Sequence, residues 1–203
     1  NALDRDILNT ASQLSVQYYR PSYYSYHEET PMKESLSIWN NEVKKLEELN
    51  RSLNIAACYQ NHAGTKIGAS YWELYQLLEE VDPQYYGLQY DIRHAVVEGG
   101  LSWENGLELL HKQIRTIVLK DFKWGKVKGK WKVINVPIGE GMVDFSYYFS
   151  LLKKYKINVP ISLHVEYPIG GAESGKREIT VSHKVVFDAM KKDLKKIQEY
   201  WEE

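Results

Sequence analysis

An α/β fold with a mostly parallel sheet is predicted for this chain of 203 residues by three observations. Short apolar runs alternate with longer stretches whose apolar residues recur every three or four positions, the pattern of strands that each feed a helix. Four of those runs end abruptly in polar, titratable residues: Ala57 to His62, Gly87 to His94, Thr116 to Asp121 and Ile161 to Glu166. Taking Gln60, Asp91, Lys120 and Glu166 as markers, the gaps are 31, 29 and 46 residues. That spacing suits successive strand–helix units of a barrel, where reactive groups collect at the carboxyl ends of parallel strands.

The elements follow in order. Asp4 to Gln13 reads as a helix, Leu14 to Arg20 as a strand, and Pro21 with the Tyr23-Tyr24-Ser25-Tyr26 cluster opens a loop. Pro31 suits a first helical turn, and Leu36, Trp39, Val43, Leu46 and Leu49 continue one apolar stripe to Leu53. Ile55 to Tyr59 is the next strand. The following helix spans Ala69 to Val81 with Trp72, Tyr75, Leu78 and Val81 on one stripe, and Asp82-Pro83 ends it. Gly87 to Tyr90 is a strand, Ser102 caps a helix running to about Gln113, and Thr116 to Leu119 is again a strand. Lys123 to Pro137, rich in Lys, Gly and Trp, breaks the rhythm as a long excursion or a hairpin, ahead of a helix from Val143 to Tyr155. Ile161 to Val165 is the last strand. Ser182 to Trp201 is a terminal helix with Val186, Ala189, Met190, Leu194 and Ile197 facing inward.

Five strand–helix units result, in a single domain over residues 1–203. A closed barrel takes eight strands and usually about 250 residues, so further units are expected upstream. A complete, open five-stranded sheet is the alternative that length favours. The absence of an initiator Met also points to missing residues before Asn1.

Lys plus Arg (26) nearly balances Asp plus Glu (27), which argues against nucleic acid or an anionic membrane as partner. No apolar run approaches the roughly 18 residues needed to span a bilayer, and the N-terminus is too polar for a signal peptide. A soluble, cytoplasmic protein is expected, with export after removal of a leader as the alternative, and a homo-oligomer is compatible with the sequence. The single cysteine, Cys58, makes an intramolecular disulfide impossible and reads as a small buried hydrophobe.

Residues two apart on a strand share a face, which aligns Cys58 with Gln60 and His62, Gln89 with Asp91, Val118 with Lys120, and Ser162 with His164 and Glu166. Burying such groups without partners costs several kcal/mol each, so four polar strand ends together point to a ligand site. Arg20, at the end of the first visible strand, suits a hydroxyl, carboxylate or phosphate, or else a surface salt bridge. Trp103, Trp124, Tyr23, Tyr24 and Tyr26 divide between a sugar-stacking rim and ordinary packing. Gly170 to Gly175 has the composition of a phosphate or lid loop. Lys126, Lys128, Lys130 and Lys132 alternate along the hairpin and read as one solvated basic face.

Gln60-Asn61-His62, Asp91 followed by His94, Leu119-Lys120-Asp121, Ile138-Gly139-Glu140-Gly141 with Asp144-Phe145, and Glu166-Tyr167 resemble, in that order, motifs of the xylose-isomerase-like sugar phosphate isomerase/epimerase superfamily. The resemblance covers Val16 to Tyr167. It implies a (β/α)8 TIM barrel of which the last five units are present, a small-molecule carbohydrate as substrate, and no nucleotide cofactor. It also implies a divalent metal (Mn, Mg or Zn) held by Glu, Asp, His and Glu, with the two Glu carboxylates moving a proton beside a carbonyl.

Carried over residue by residue, the Asp falls on Asp91 and the last Glu on Glu166, both metal ligands by resemblance, with Gln60 as a further oxygen donor. The chain departs from the pattern twice. Gln60 stands where the first Glu is expected, and Val118 where the His is expected. Glu166 and Lys120 are therefore the expected catalytic pair, with Lys120 the electrophile if no metal binds. Arg20, Gln60, His62, His94 and His164 are expected to bind substrate. An isomerase or epimerase of a sugar or polyol is the first reading. A lyase or hydrolase on a keto-sugar or glycoside, and a non-catalytic carbohydrate-binding barrel, are the alternatives. The superfamily's endonuclease branch relies on a dense His and acidic cluster for several zinc ions. With six histidines, His111 and His183 of them on helices, that branch ranks low.

Overall fold

Strands and helices alternate along the chain as the apolar spacing predicts in the computed structural model, which describes residues 2–203. The chain forms two compact units, one ending at Ile117 and the other running from Val118 to Glu203. No helix among the described residues is long and apolar enough to cross a membrane.

In the first unit, helix α1 (Ala2–Gln13) precedes strand β1 (Tyr18–Tyr19). The strand is shorter than the expected Leu14 to Arg20. Leu14 and Val16 still donate to Thr10 and Ala11, and Ser15 takes a left-handed φ of 61°, so the helix end consumes the first residues of that run. Helix α2 (Met32–Leu53) follows Pro31 and stops at Asn54, which is left-handed at φ 51° and donates its N–H back to the last turn. Within it Asn50 is fully buried but doubly paired. Tyr19 Oη donates to its Oδ1 at 2.9 Å, and its Nδ2 donates to the Tyr85 carbonyl at 2.9 Å.

Strands β2 (Ala56–Gln60) and β3 (Tyr86–Asp91) run parallel to β1 and to each other, with Tyr18 opposite Ala56 and Gln60 opposite Gln89. Every residue of β2 is buried, as expected for a parallel strand covered on both faces. Helix α3 (Tyr71–Leu78) starts at Ser70, whose hydroxyl accepts from Trp72 N–H. Its buried stripe is Leu74, Leu77, Leu78 and then Val81, while the expected Trp72 and Tyr75 are exposed. The cap at Ser70 fixes where the helix starts, and its buried face falls on the leucines.

Helix α4 (Ile92–Gly99) begins at the last residue of β3 and was not expected. Helix α5 (Trp103–Leu110) follows with Ser102 at its N-cap as expected, but the hydroxyl does not accept from the first turn; it donates to the Gly99 carbonyl at 2.9 Å. Strand β4 (Ile114–Leu119) carries the chain into the second unit, and within the first unit Gln89 Nε2 donates to Thr116 Oγ1 at 3.2 Å.

In the second unit, β5 (Asp121–Val127) and β6 (Lys130–Val136) form the expected hairpin. Lys128 and Gly129 both have positive φ, 51° and 78°, the signature of a two-residue turn matched to strand twist. That turn interrupts the alternation, so the four lysines do not share a face. Lys126 pairs with Trp131, its ammonium 5.3 Å from the ring centre, whereas Lys130 and Lys132 lie on the opposite face and Lys128 sits in the turn.

Helix α6 (Phe145–Lys154) is capped by Asp144, which accepts from Tyr147 N–H, and buries Phe145, Tyr148, Phe149, Leu151 and Leu152. Strand β7 (Ile161–Leu163) stops earlier than expected, although His164 N–H still donates to the Leu119 carbonyl at 2.9 Å. Helix α7 (His183–Glu202) packs on α6 through Tyr200 and Trp201. Its expected inward face is rotated: Met190 and Leu194 are half exposed and Asp193 is the buried residue. Val186, Ala189 and Ile197 of the expected face are partly covered, and Asp193 Oδ1 accepts from Ile138 N–H at 3.3 Å, a polar contact beside the aromatic packing.

Candidate functional site

The first unit gathers one polar cluster at the carboxyl ends of β2 and β3. Asn61 locks the two ends reciprocally, accepting from Asp91 N–H at 2.7 Å and donating Nδ2 to the Asp91 carbonyl at 2.9 Å. Gln60 sits between a carboxylate and a cation. Its Nε2 donates to Asp91 Oδ2 at 2.8 Å, and its Oε1 accepts from Arg20 Nη1 at 2.7 Å and from Tyr23 Oη at 2.5 Å. Those partners fix which end of the amide faces which neighbour, since a flip would set oxygen against carboxylate and N–H against guanidinium. Gln60 and Asp91 are almost wholly buried.

Asp91 also caps α4, its Oδ1 accepting from His94 N–H at 3.1 Å. This explains how a helix can start with no linker after β3: the strand's last side chain supplies the missing acceptor. His94 is buried beside it, with Nε2 3.6 Å from Asp91 Oδ2. Because Ala63 N–H donates to His94 Nδ1 at 3.1 Å, the neutral ring carries its proton on Nε2. The His62 ring lies 4.1 Å from His94 and 4.8 Å from Tyr23, and its Nδ1 bonds the Ala63 carbonyl at 2.9 Å.

The second unit gathers the other group. Lys120, immediately after β4 and only 5% exposed, donates to Glu166 Oε1 at 3.0 Å and Oε2 at 3.1 Å. His164 Nδ1 lies 3.2 Å from Glu166 Oε1, although both residues follow the end of β7 rather than sharing a strand face. The hydrogen bond from His164 and the Lys120 charge, against the opposing effect of burial, bring the Glu166 carboxyl down to about 2. Asn135, from the hairpin, donates to the Glu166 carbonyl at 3.3 Å.

Asp121, next to Lys120, accepts from the N–H groups of Phe122, Gly139, Gly141 and Val143 at 2.8 to 3.2 Å. It thus ties the start of the hairpin to the segment leading into α6. Gly141 has to be glycine here, because an added Cβ would lie 2.2 Å from Asp121 Oδ1 and 2.3 Å from the Phe122 carbonyl.

The expected residues thus fall into two groups: Arg20, Gln60, His62, Asp91 and His94 in the first unit, Lys120, His164 and Glu166 in the second. Val118, at the position expected for a His, is fully buried in the core. Of the aromatics proposed as a rim, Tyr23 joins the first cluster through its hydroxyl. Tyr24 is packed between Trp39 and Tyr59, Tyr26 bonds Glu73, and Trp103 is buried. In the Gly170 to Gly175 loop, Glu173 accepts from Ile169 and Gly171 N–H at 2.9 Å each, so the chain's own carboxylate fills the cradle a phosphate would use. Asn61 stood in plain view beside Gln60. Asn135 carried no sequence signal, since hairpin register alone brings it to Glu166.

Among the described residues no three His, Cys, Asp or Glu side chains are grouped so as to hold a metal ion. The oxygens of Gln60 and Glu166 are instead engaged by Arg20 and Lys120.

Residues 5–183 match the model of a family described as xylose isomerase-like TIM barrel. An inosose dehydratase of Geobacillus thermodenitrificans (strain NG80-2) is 33% identical over 147 residues, 61% of this chain and 47% of that protein. The chain thus spans about half the length of this curated relative. Among solved structures, the IolI protein with a bound zinc atom superposes with a TM-score of 0.72 at 17% identity, covering 97% of this chain and 68% of that one. A D-psicose 3-epimerase with D-tagatose, from Clostridium cellulolyticum H10, gives 0.69 at 12% identity over 98% and 70%. A D-tagatose 3-epimerase-like protein gives 0.65 at 18% over 96% and 68%. At these identities the structural likeness is one of fold.

Proposed function

Because the chain belongs to the family of xylose isomerase-like TIM barrels, we propose that it moves a proton beside the carbonyl of a sugar or polyol, as an isomerase or epimerase. The observation that carries this reading is the Lys120–Glu166–His164 group, a carboxylate held between an ammonium and an imidazole. Glu166 is the base. The C–H bond next to the carbonyl breaks, the proton passes to the carboxylate, and the electron pair moves through carbon to the carbonyl oxygen as an enediolate. Lys120 Nζ–H stabilises the charge developing on that oxygen. A proton delivered by water to the opposite face, with Glu166 releasing its own proton to solvent, gives the epimer; return of the Glu166 proton to the neighbouring carbon, with the hydroxyl proton passing between the two enediol oxygens, gives the isomer.

A carboxyl at about 2 is a weak base in the resting state. Once the substrate oxygen takes Lys120's donors, Glu166 loses one of the two partners that hold its carboxyl down, and its basicity rises. No step in this scheme calls for a metal. In the first unit, Arg20 and His62 offer donors and a ring surface suited to hydroxyl groups, backed by the buried Gln60, which bonds Arg20, and the buried His94, whose ring lies against His62. The dehydratase relative favours a second reading, a lyase, in which the same proton removal is followed by loss of the adjacent hydroxyl as water.

Incubation with D-tagatose, D-allulose, L-ribulose and an inosose in D2O separates the readings. Deuterium entering next to the carbonyl, read by NMR, supports proton transfer, and an enone-type product supports the lyase. Glu166→Gln should abolish either; unchanged exchange in that variant removes Glu166 from the mechanism. Saturable binding without exchange identifies a non-catalytic carbohydrate-binding barrel.

A further inference from the structure

We propose that two fixed protein cations, the Arg20 guanidinium at Gln60 and the Lys120 ammonium at Glu166, replace the divalent ion implied by the fold family, so that no such ion binds at these positions. Each unit carries the argument by itself. In the first, the oxygen available as a metal donor is Gln60 Oε1, and an amide oxygen has two lone pairs. Both are taken, at 2.7 Å by Arg20 and at 2.5 Å by Tyr23. Rotating the amide gives no relief, because its N–H group is held by Asp91 Oδ2 at 2.8 Å. Asp91 divides its oxygens between that amide and the His94 N–H that opens α4, so turning it toward a metal would uncap the helix.

Charge points the same way. One carboxylate and one guanidinium already balance, whereas a second carboxylate at position 60 would leave an excess negative charge for a cation to neutralise. A hard divalent ion depends on anionic oxygen ligands, and the amide supplies none of that charge.

In the second unit both Glu166 oxygens contact Lys120, at 3.0 and 3.1 Å. The ammonium is 5% exposed and held on the carboxylate it neutralises. A divalent ion reaching Glu166 meets that positive charge at contact range, where repulsion is strong and poorly screened. Val118 supplies no nitrogen, since its isopropyl group is fully buried.

This inference rests on the proposed function only in treating these side chains as the reactive set, and its test uses no substrate. The chain is stripped with EDTA and equilibrated with Mn2+, Mg2+, Co2+ or Zn2+ one at a time. Metal co-eluting on gel filtration and the melting temperature are then measured. The expected result is no stoichiometric metal dependent on Asp91 or Glu166, and no shift in melting temperature. The positive arm is Gln60→Glu, which sets a second carboxylate against Asp91. That variant should melt below wild type in EDTA and recover on adding Mn2+.

Stoichiometric Mn2+ or Zn2+ in wild type that is lost in Asp91→Asn or Glu166→Gln overturns the proposal. So does a Gln60→Glu variant that folds and ignores Mn2+; if that variant fails to fold, the wild-type measurement still decides. A chain inactive toward every sugar but metal-free by these measures refutes the proposed function alone.

Discussion

Removing the Asn61 side chain tests how the first polar cluster is held in place. In Asn61→Ala, two bonds disappear at a position 3% exposed: the Asp91 N–H loses its 2.7 Å acceptor and the Asp91 carbonyl its 2.9 Å donor. A buried backbone group left without a partner costs about 1 to 3 kcal/mol, so two of them cost roughly 2 to 6 kcal/mol before relaxation. The low end of that range, about 2 to 3 kcal/mol, is expected, because the carbonyl retains its place at the start of α4 and water can enter the space vacated. For a chain of this size about 1 kcal/mol corresponds to roughly 2 to 4 °C, which predicts a fall of about 4 to 12 °C in melting temperature. Urea unfolding followed by far-UV circular dichroism measures the free energy directly. Asn61→Asp keeps an acceptor for Asp91 N–H but sets a carboxylate against the Asp91 carbonyl, so it should not recover the loss. A change below about 0.5 kcal/mol in Asn61→Ala, within the range of an ordinary surface substitution, would refute the view that this amide ties the two strand ends together.

Glu166, brought down to about 2 from its ordinary 4.5, stabilises the folded chain at neutral pH, and that contribution is lost as pH falls from about 4.5 toward 2. Glu166→Gln should flatten this limb of the stability curve, by a small amount because the side chain is about a third open to water; an unchanged limb counts against the pairing with Lys120 and His164. Burial pushes the Cys58 thiol up to about 11, so an aromatic disulfide reagent at neutral pH should label it only after denaturant is added. Fast labelling of the native chain would contradict that burial. Gly87→Ala should destabilise by several kcal/mol, because its Cβ would stand 2.3 Å from Arg115 Cγ and 2.8 Å from the Gln113 carbonyl, measured by the same urea titration. A near-neutral result would mean that β3 is less closely covered than this geometry requires.

Much of the fold is legible in the pattern of apolar runs. Ile55 to Tyr59, Gly87 to Tyr90 and Thr116 to Leu119 read as strands because they are short, largely apolar runs that end in polar residues and are separated by helix-length segments. The segment from Lys123 to Pro137 is legible as a departure from the strand–helix rhythm, but its turn at Lys128-Gly129 is not, because Lys carries no preference for the positive φ that it adopts there. The helix from Ile92 to Gly99 was hidden, because its cap is a strand residue, Asp91, and short helices carry weak periodicity. The phase of α7 was misread for a related reason. Periodicity counts apolar residues, whereas the buried position is Asp193, which bonds Ile138 N–H.

The members of the two polar groups are legible in the sequence, because a titratable group at the end of a buried strand is costly unless it has a partner. What the sequence alone determined is therefore the family, the order of the strands along the chain, and the set of side chains at their ends, including the departures at Gln60 and Val118. What only the tertiary structure decided is who partners whom: that Gln60 turns its oxygen to Arg20 and its N–H to Asp91, and that Lys120 clasps both oxygens of Glu166. A hydrogen bond is set by about an ångström and a few tens of degrees. Residue type and spacing do not fix positions to that precision, but packed strands do.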